Sequence, residues 1–391
     1  MPYKLMSIFV FCCLANIGNG RAVADDEHPL AIRRWSDTAF TIETMQNLHV
    51  GIGLTEADEK RLSRPVDLHE KDVGKKIRTT LRWSAETSTP VVITGDPHDD
   101  ILENDITVAR IVWKTNDLSL FGADGVTIAN LNPLAADQIA GLIGLAEDPE
   151  FLKRTKRSLV VLATAKNISA DQLKKLSDRW KPRMVIVNSS IDSIDGHKVE
   201  VIPHNAIAVS SSAKTDNQDK TRFVSLGDQP WAMPDEVAGL FFKKEAACKS
   251  SREMFAKLSV EQMNFKPGDG SHTPRWNAEH MMGRELLFFS QIFHAVDPSI
   301  PVMDLNPRQM PKDYTFAHSD WSGAEEAAQM MRVEAFTRRF AYLLDGMDLD
   351  KKASGSKFWT PRKLLKQMER HYNEHSANVV KKMDLDGWPA K

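Results

Sequence analysis

Thr360-Pro-Arg-Lys-Leu-Leu-Lys-Gln-Met-Glu-Arg-His-Tyr-Asn-Glu-His-Ser-Ala-Asn-Val-Val-Lys-Lys-Met383, near the end of the chain, reads as one amphipathic helix. Thr360 followed by Pro361 is a start signal: a side-chain cap, then proline at the first helical position. Leu364, Met368, His371, His375 and Val379 recur at steps of three or four, so both histidines fall on the stripe that faces a core. Four residues advance about 6 Å and return to nearly the same face, which lets two imidazoles converge on one point. A buried imidazole needs partners for its ring nitrogens, and protein, water or a metal ion would each serve.

Working outward, residues after the Gly/Pro punctuation Gly227-Asp-Gln-Pro-Trp-Ala-Met-Pro234 carry helical periodicity almost throughout. A first helix is expected from Asp235 to Leu258, with Val237, Leu240, Phe241, Ala246, Cys248 and Phe255 among its apolar positions. Ser259-Val-Glu-Gln262 is a capping box opening a short turn. A second helix starts at Thr273-Pro274 and runs to Val296, and a third starts at the capping box Ser322-Gly-Ala-Glu325 and runs to Leu344 or Asp345. With the Thr360 helix these make an up-down four-helix bundle over residues 233–391. The long connection from Asp297 to Trp321 carries Pro301, Met303, Arg308, Met310, Tyr314, Phe316 and His318, a composition suited to a flap over one end of the bundle.

In the second helix Trp276, His280, Gly283, Leu287 and His294 share a face, so His280 also points inward. Trp276-Asn-Ala-Glu-His280, His371-Tyr-Asn-Glu-His375 and Leu258-Ser-Val-Glu-Gln-Met-Asn-Phe-Lys-Pro267 together resemble the motifs of the DinB/YfiT-like superfamily, over residues 235–384. The resemblance implies one divalent ion on His280, His371 and His375 with positions open to water or substrate. Three neutral imidazoles suit Zn²⁺, Ni²⁺ or Fe²⁺, and three protein ligands leave a zinc site open in the manner of catalytic rather than structural zinc. The competing expectation is three core histidines satisfied by neighbouring side chains. His294, Glu279, Glu285 and Glu374 are expected to support the site or lie at the surface, and His318 in the flap is a further candidate to approach it.

The first half alternates strand-like and helix-like segments. Ala31–Trp35, Phe40–Thr44 and Leu48–Gly53 read as close-set strands, followed by Pro90–Thr94, Val108–Trp113, Asp117–Phe121 and Val126–Ala129. Ser158–Ala163, a helix at Ala170–Trp180, and Met184–Val187 form a βαβ unit, preceded by a helix at Asp137–Leu145 and followed by three more strands up to Leu226. Ile32–Glu43, Asp124–Leu131 and Lys181–Val187 resemble the framework of metallo-β-lactamase-fold hydrolases of the ascorbate-phosphate-lactonase-like branch. That implies an αββα sandwich with a two-metal site at the strand ends. The ligands depart from the pattern: Gly95, Pro97 and Asp100 stand where histidines belong, Asn132-Pro133 replaces Gly-Asp, and Asn188 or Ser189 replaces the last histidine. Residues 25–232 are therefore expected to be a degenerate scaffold, with His98, Asp99 and Asp100 as a polar turn that another register would turn toward a ligand.

The 391 residues are 42% hydrophobic and 27% charged, a globular composition long enough for two domains. Lys4, the apolar Leu5–Leu14 and Ala22-Val23-Ala24 read as a signal peptide over residues 1–24, so the mature chain is expected to be exported, periplasmic or secreted. Cleavage removes Cys12 and Cys13, leaves Cys248 alone, and, by losing Lys4 and Arg21, moves the formal charge from −2 to −4. That balance gives no reason to expect nucleic acid or stable membrane insertion, while a small-molecule substrate and a homodimer stay open. No G-x-S-x-G, P-loop, C-x-x-C or dinucleotide motif is present. Three readings follow: a metal-dependent hydrolase or thiol S-transferase, a non-catalytic metal or ligand binder, and a partner-docking protein.

Overall fold

The computed structural model describes residues 29–73, 78–84, 89–95, 106–113, 116–123, 125–155, 158–211, 220–303 and 318–390. The expected signal peptide, His98, Asp99 and Asp100, and the part of the Asp297–Trp321 connection from 304 to 317 lie outside the described residues.

The chain is a mixed α/β structure in which sheets come first and long helices follow. In order it forms β1 (Leu30–Arg34), β2 (Phe40–Glu43), β3 (His49–Ile52), α1 (Glu56–Glu59), β4 (Leu68–His69), β5 (Arg78–Ser84), β6 (Thr89–Gly95), β7 (Ile106–Trp113), β8 (Asn116–Ala123) and β9 (Val126–Asn130). Then come α2 (Ala136–Leu142), α3 (Pro149–Thr155), β10 (Leu159–Ala163), α4 (Ala170–Trp180), β11 (Met184–Val187), the short pair β12 (Ser193–Ile194) and β13 (His197–Lys198), β14 (Glu200–Ile202), β15 (Ala206–Val209) and β16 (Arg222–Leu226). One sheet has the order β15-β1-β2-β3-β4, and a larger one β14-β16-β11-β10-β9-β8-β7-β5-β6. The βαβ reading of β10-α4-β11 holds, since those strands pair in parallel with Val160 opposite Met184.

Side-chain alternation along the strands builds the layers. In β10, Val160 and Leu162 face the five-stranded sheet and meet Ile32, Phe40, Ile42 and Val50, while Leu159, Val161 and Ala163 face the helices and meet Leu142, Leu173 and Leu176. Both faces are buried, which is why these strands read as continuous apolar runs. The outer face of the five-stranded sheet carries alanines beside the charged Arg33 and Glu43, which bond to Arg339 of the helical half. Ala31, Ala206 and Ala208 join the apolar cluster of the helical half, so the helices close over that sheet.

The helical half contains α5 (Asp235–Phe255), α6 (Val260–Met263), α7 (Pro274–Val296), α8 (Gly323–Arg339) and α9 (Pro361–Val380). Helix α5 packs against α8 and α9, and α7 packs against the same two. Phe241, Phe255, Phe289, Phe293, Phe336, Leu364 and Leu365, all fully buried, form their common core. The start signals act as expected. Thr273 Oγ1 accepts from Trp276 N at 3.0 Å, Thr360 Oγ1 accepts from Lys363 N at 3.2 Å, and Glu325 accepts from both the backbone N–H and the hydroxyl of Ser322.

Several expectations need correction. Helix α8 stops at Arg339, and Ala341–Leu344 is a 3-10 turn rather than its continuation. Ala246 is exposed and Ala247 takes the inward place, next to a buried Lys244 that no apolar pattern reveals. Helix α2 ends at Leu142, with a 3-10 turn at Ile143–Glu147 and the unanticipated α3 after it.

Candidate metal centre

Helices α7 and α9 bring three histidines together. One ring nitrogen from each of His280, His371 and His375 lies within 4.8 Å of the other two. The ring centroids are 4.7 Å apart for His280 and His371, 4.9 Å for His280 and His375, and 4.5 Å for His371 and His375. His371 and His375 come from successive turns of α9, beneath the Leu364 and Met368 stripe that docks this helix on α5 and α7. His280 sits in the second turn of α7, where capping and Pro274 fix the path of the chain.

Burial sets the protonation. His280 is 7% exposed and His371 9%, and loss of hydration holds both imidazoles far below their usual pKa, with the neighbouring histidines and Arg284 adding to the effect. His375 is held down to about 4, first by burial and then by His272 and Lys382. All three are neutral near pH 7 and present lone pairs.

The surroundings distinguish the two expectations for these rings. Histidines kept in a core by protein partners have both ring nitrogens hydrogen-bonded. Here Nδ1 of His280 and Nδ1 of His371 are buried with no hydrogen-bond partner among the described residues. His375 differs, its Nδ1 lying 2.7 Å from Asn277 Oδ1. Three neutral nitrogen donors, two orphaned buried atoms and one ring fixed by an amide form a donor set that fits a divalent transition metal. The 4.8 Å spread is wider than the roughly 3.3 Å between nitrogens around tetrahedral zinc, a gap that small ring rotations close.

Aromatic rings wall one side. Trp276 stacks on His280 with centroids 4.5 Å apart and planes 10° apart, and the exposed His272 stacks on Trp276 at 3.7 Å. Trp276 is legible as an inward residue one turn before His280 on the same helix. Asn277 is not, because its partner His375 is on α9 and only the packing of α7 against α9 brings the two together.

The other candidates are elsewhere. His294 is exposed and its Nδ1 donates to the Ile300 carbonyl at 2.7 Å, outside the cluster. Glu285 is neither at the site nor at the surface: it is fully buried, accepting from Lys244 Nζ at 2.6 Å and Tyr372 OH at 2.8 Å. Glu374 is a surface residue near Arg370, 3.5 Å away. Glu279 is buried and accepts from the backbone N–H of His318, whose ring stacks on Trp321 at 3.6 Å.

In the sheet half, two of the positions where the metallo-β-lactamase resemblance places ligands, Asn132 and Asn188, are built into the frame. Asn132 Oδ1 accepts from Thr164 N at 2.7 Å and Ala165 N at 3.0 Å, and Asn188 Nδ2 donates to the Thr164 carbonyl at 2.6 Å. These amides stitch together the ends of β9, β10 and β11.

No known protein family matches the chain, and no curated protein does either. A solved structure from Thermotoga maritima, assigned to the metallo-β-lactamase superfamily, is similar over 51% of this chain and 98% of that one, at 10% identity and a TM-score of 0.27. A likeness of that size carries no argument about fold or chemistry.

Proposed function

We propose that this chain is an exported DinB/YfiT-like protein that holds one divalent transition-metal ion on His280, His371 and His375. In this reading residues 233–391 form an up-down four-helix bundle, residues 25–232 a metallo-β-lactamase-like αββα scaffold that has lost its own ligands, and residues 1–24 a signal peptide. The observation that carries it is the convergence of three neutral imidazole nitrogens within 4.8 Å, on rings of which two have Nδ1 buried with no hydrogen-bond partner among the described residues. The use of Asn132 and Asn188 as strand-end braces supports the loss of a metal site in the sheet half.

An ion at this place supplies Lewis acidity, which makes a water molecule or a thiol a strong nucleophile near neutral pH. The protein's own residues do the rest. Burial keeps the imidazoles unprotonated, Asn277 holds His375 in one tautomer, and Trp276 covers one face of His280. Three protein ligands leave room for a substrate, so metal-dependent hydrolysis is the favoured reaction class. Thiol S-transfer is second, because an exported enzyme is separated from cytosolic thiol cosubstrates.

The test is elemental analysis of purified protein, followed by a panel of ester, lactone and thiol-transfer substrates with Zn²⁺, Ni²⁺ or Fe²⁺ added. One equivalent of metal per chain, lost in His371→Ala, and metal-dependent turnover lost in His280→Ala are expected. A wild-type protein that takes up no divalent ion sinks the proposal, and stoichiometric metal without turnover reduces it to a binding protein.

A further inference from the structure

His272, Trp276 and His280 follow one another at intervals of four residues, and their rings lie nearly parallel. The centroids of His272 and Trp276 are 3.7 Å apart with planes 8° apart, and those of Trp276 and His280 are 4.5 Å apart with planes 10° apart. Two parallel rings that close to one indole cannot share a face of it without colliding, so the imidazoles sit on opposite faces and the indole is held between them. Trp276 and His280 occupy successive turns of α7, where residues four apart are neighbours. His272 precedes the cap residue Thr273, so it lies outside the helix, with its ring exposed.

His280 is the ligand for which such support matters. His375 is oriented by Asn277, 2.7 Å from its Nδ1, whereas Nδ1 of His280 is buried with no hydrogen-bond partner among the described residues. A ring pressed flat on a fixed plane cannot turn about its Cβ–Cγ bond without losing the contact. Stacking therefore restrains the same angle that a hydrogen bond to the second nitrogen sets in other metal-binding histidines. The indole is itself a firm surface: it is 7% exposed and stands in the first turn of α7, where the Thr273 cap and Pro274 set the path of the chain.

We infer that His272 is a positioning residue for the metal centre: through Trp276 it fixes the plane of the His280 ring, and with it the direction of the lone pair offered to the ion. This role rests on the metal reading of His280, His371 and His375. His272 is not one of the three rings whose nitrogens converge within 4.8 Å, and the indole stands between it and His280. An imidazole suits the exposed place, since its flat face covers the indole while its edge stays in water.

Competition with a chromophoric chelator for Zn²⁺ and the visible spectrum of the Co²⁺-loaded full chain test this. Trp276→Leu is expected to weaken Zn²⁺ binding by about 10- to 100-fold and His272→Ala by about tenfold, the usual range for losing a partner that orients a ligand, each with an altered Co²⁺ spectrum. His272→Phe keeps the flat ring and removes both nitrogens, and it should restore wild-type affinity and spectrum. Should Trp276→Leu fail to fold, the two variants of the exposed His272 give the reading. Wild-type affinity and spectrum in His272→Ala would overturn the inference and leave the three-histidine site standing. A loss in His272→Ala that His272→Phe does not repair would overturn it too, because a nitrogen of His272 rather than its stacking would then be at work. A wild-type chain that takes up neither ion would instead sink the metal reading itself, and this role with it.

Discussion

The Nδ1 atom of His375 lies 2.7 Å from Oδ1 of Asn277. The other end of that amide is committed, since Asn277 Nδ2 donates to the Thr273 carbonyl at 2.7 Å. Oδ1 therefore faces the histidine as an acceptor, Nδ1 carries the proton, and the lone pair of His375 sits on Nε2. The cap residue of α7 thus reaches a ring on α9 through one amide.

Removing that amide should loosen the metal without unfolding the protein. Asn277→Ala is expected to lower divalent-metal affinity by about 10- to 100-fold, the usual cost of losing a partner that orients a ligand. Competition with a chromophoric chelator measures it, and an affinity equal to wild type would show that Asn277 has no orienting role.

Metal-free protein should lose stability in mild acid. Burial holds His49 and His375 down to about 4, against an ordinary value of 6.5. Between those values the unfolded chain binds protons that the folded chain refuses. Stability is therefore complete above pH 6.5 and falls as the pH drops toward 4. Each residue accounts for about 2 kcal/mol between pH 7 and pH 5, an order-of-magnitude figure. Urea unfolding at the two pH values checks it, and superimposable curves would contradict it.

Lys244 and Glu285 form an ion pair with both side chains fully buried. Burial alone would lower the pKa of Lys244, but the Glu285 carboxylate, with Cys248 and Glu334 adding to it, raises that pKa. Lys244→Met leaves Glu285 with only the Tyr372 hydroxyl and is expected to cost about 3–5 kcal/mol, the range for breaking a buried pair. The double change Lys244→Met with Glu285→Gln should recover part of that loss. Equal unfolding midpoints for the single and double variants would show that the unpaired charge is not the cause.

Glu43 ties the helices to the five-stranded sheet. It accepts from Arg33 Nε at 2.8 Å and from Arg339 Nε at 3.4 Å, while Arg33 Nη2 donates to the Arg339 carbonyl at 2.6 Å. Burial would raise its pKa, but Arg33, His49 and Arg339 together hold it down to about 2. Its contribution is thus present above pH 4.5 and lost as the pH falls toward 2. Glu43→Ala, which strands two guanidinium groups, should destabilise by about 3 kcal/mol and expose the α8 end to proteolysis. A wild-type digestion pattern would count against this link.

Helix starts, strand runs and the inward pair on α9 were legible because they depend on local rules. Thr-Pro caps, a 3.6-residue stripe and alternating apolar residues act within a few positions of themselves, and the chain obeys them at Thr273, Thr360 and β10. The pairing of β10 with β11 was equally readable, since strand, helix and strand in succession leave little choice of topology.

What the local pattern could not carry is which distant groups meet. Buried Lys244 and Glu285 look like surface charges until α5 and α7 are packed, because each is tolerable in a core only opposite the other. Asn132 and Asn188 look like ligands gone missing until the strand ends meet, and then they are hydrogen-bond braces. His280, His371 and His375 were each assignable to an inward face by periodicity alone. That their nitrogens converge within 4.8 Å, and that Asn277 holds one of the rings, follows from the relative placement of α7 and α9, which is set by side-chain packing across the core rather than by any short stretch of sequence.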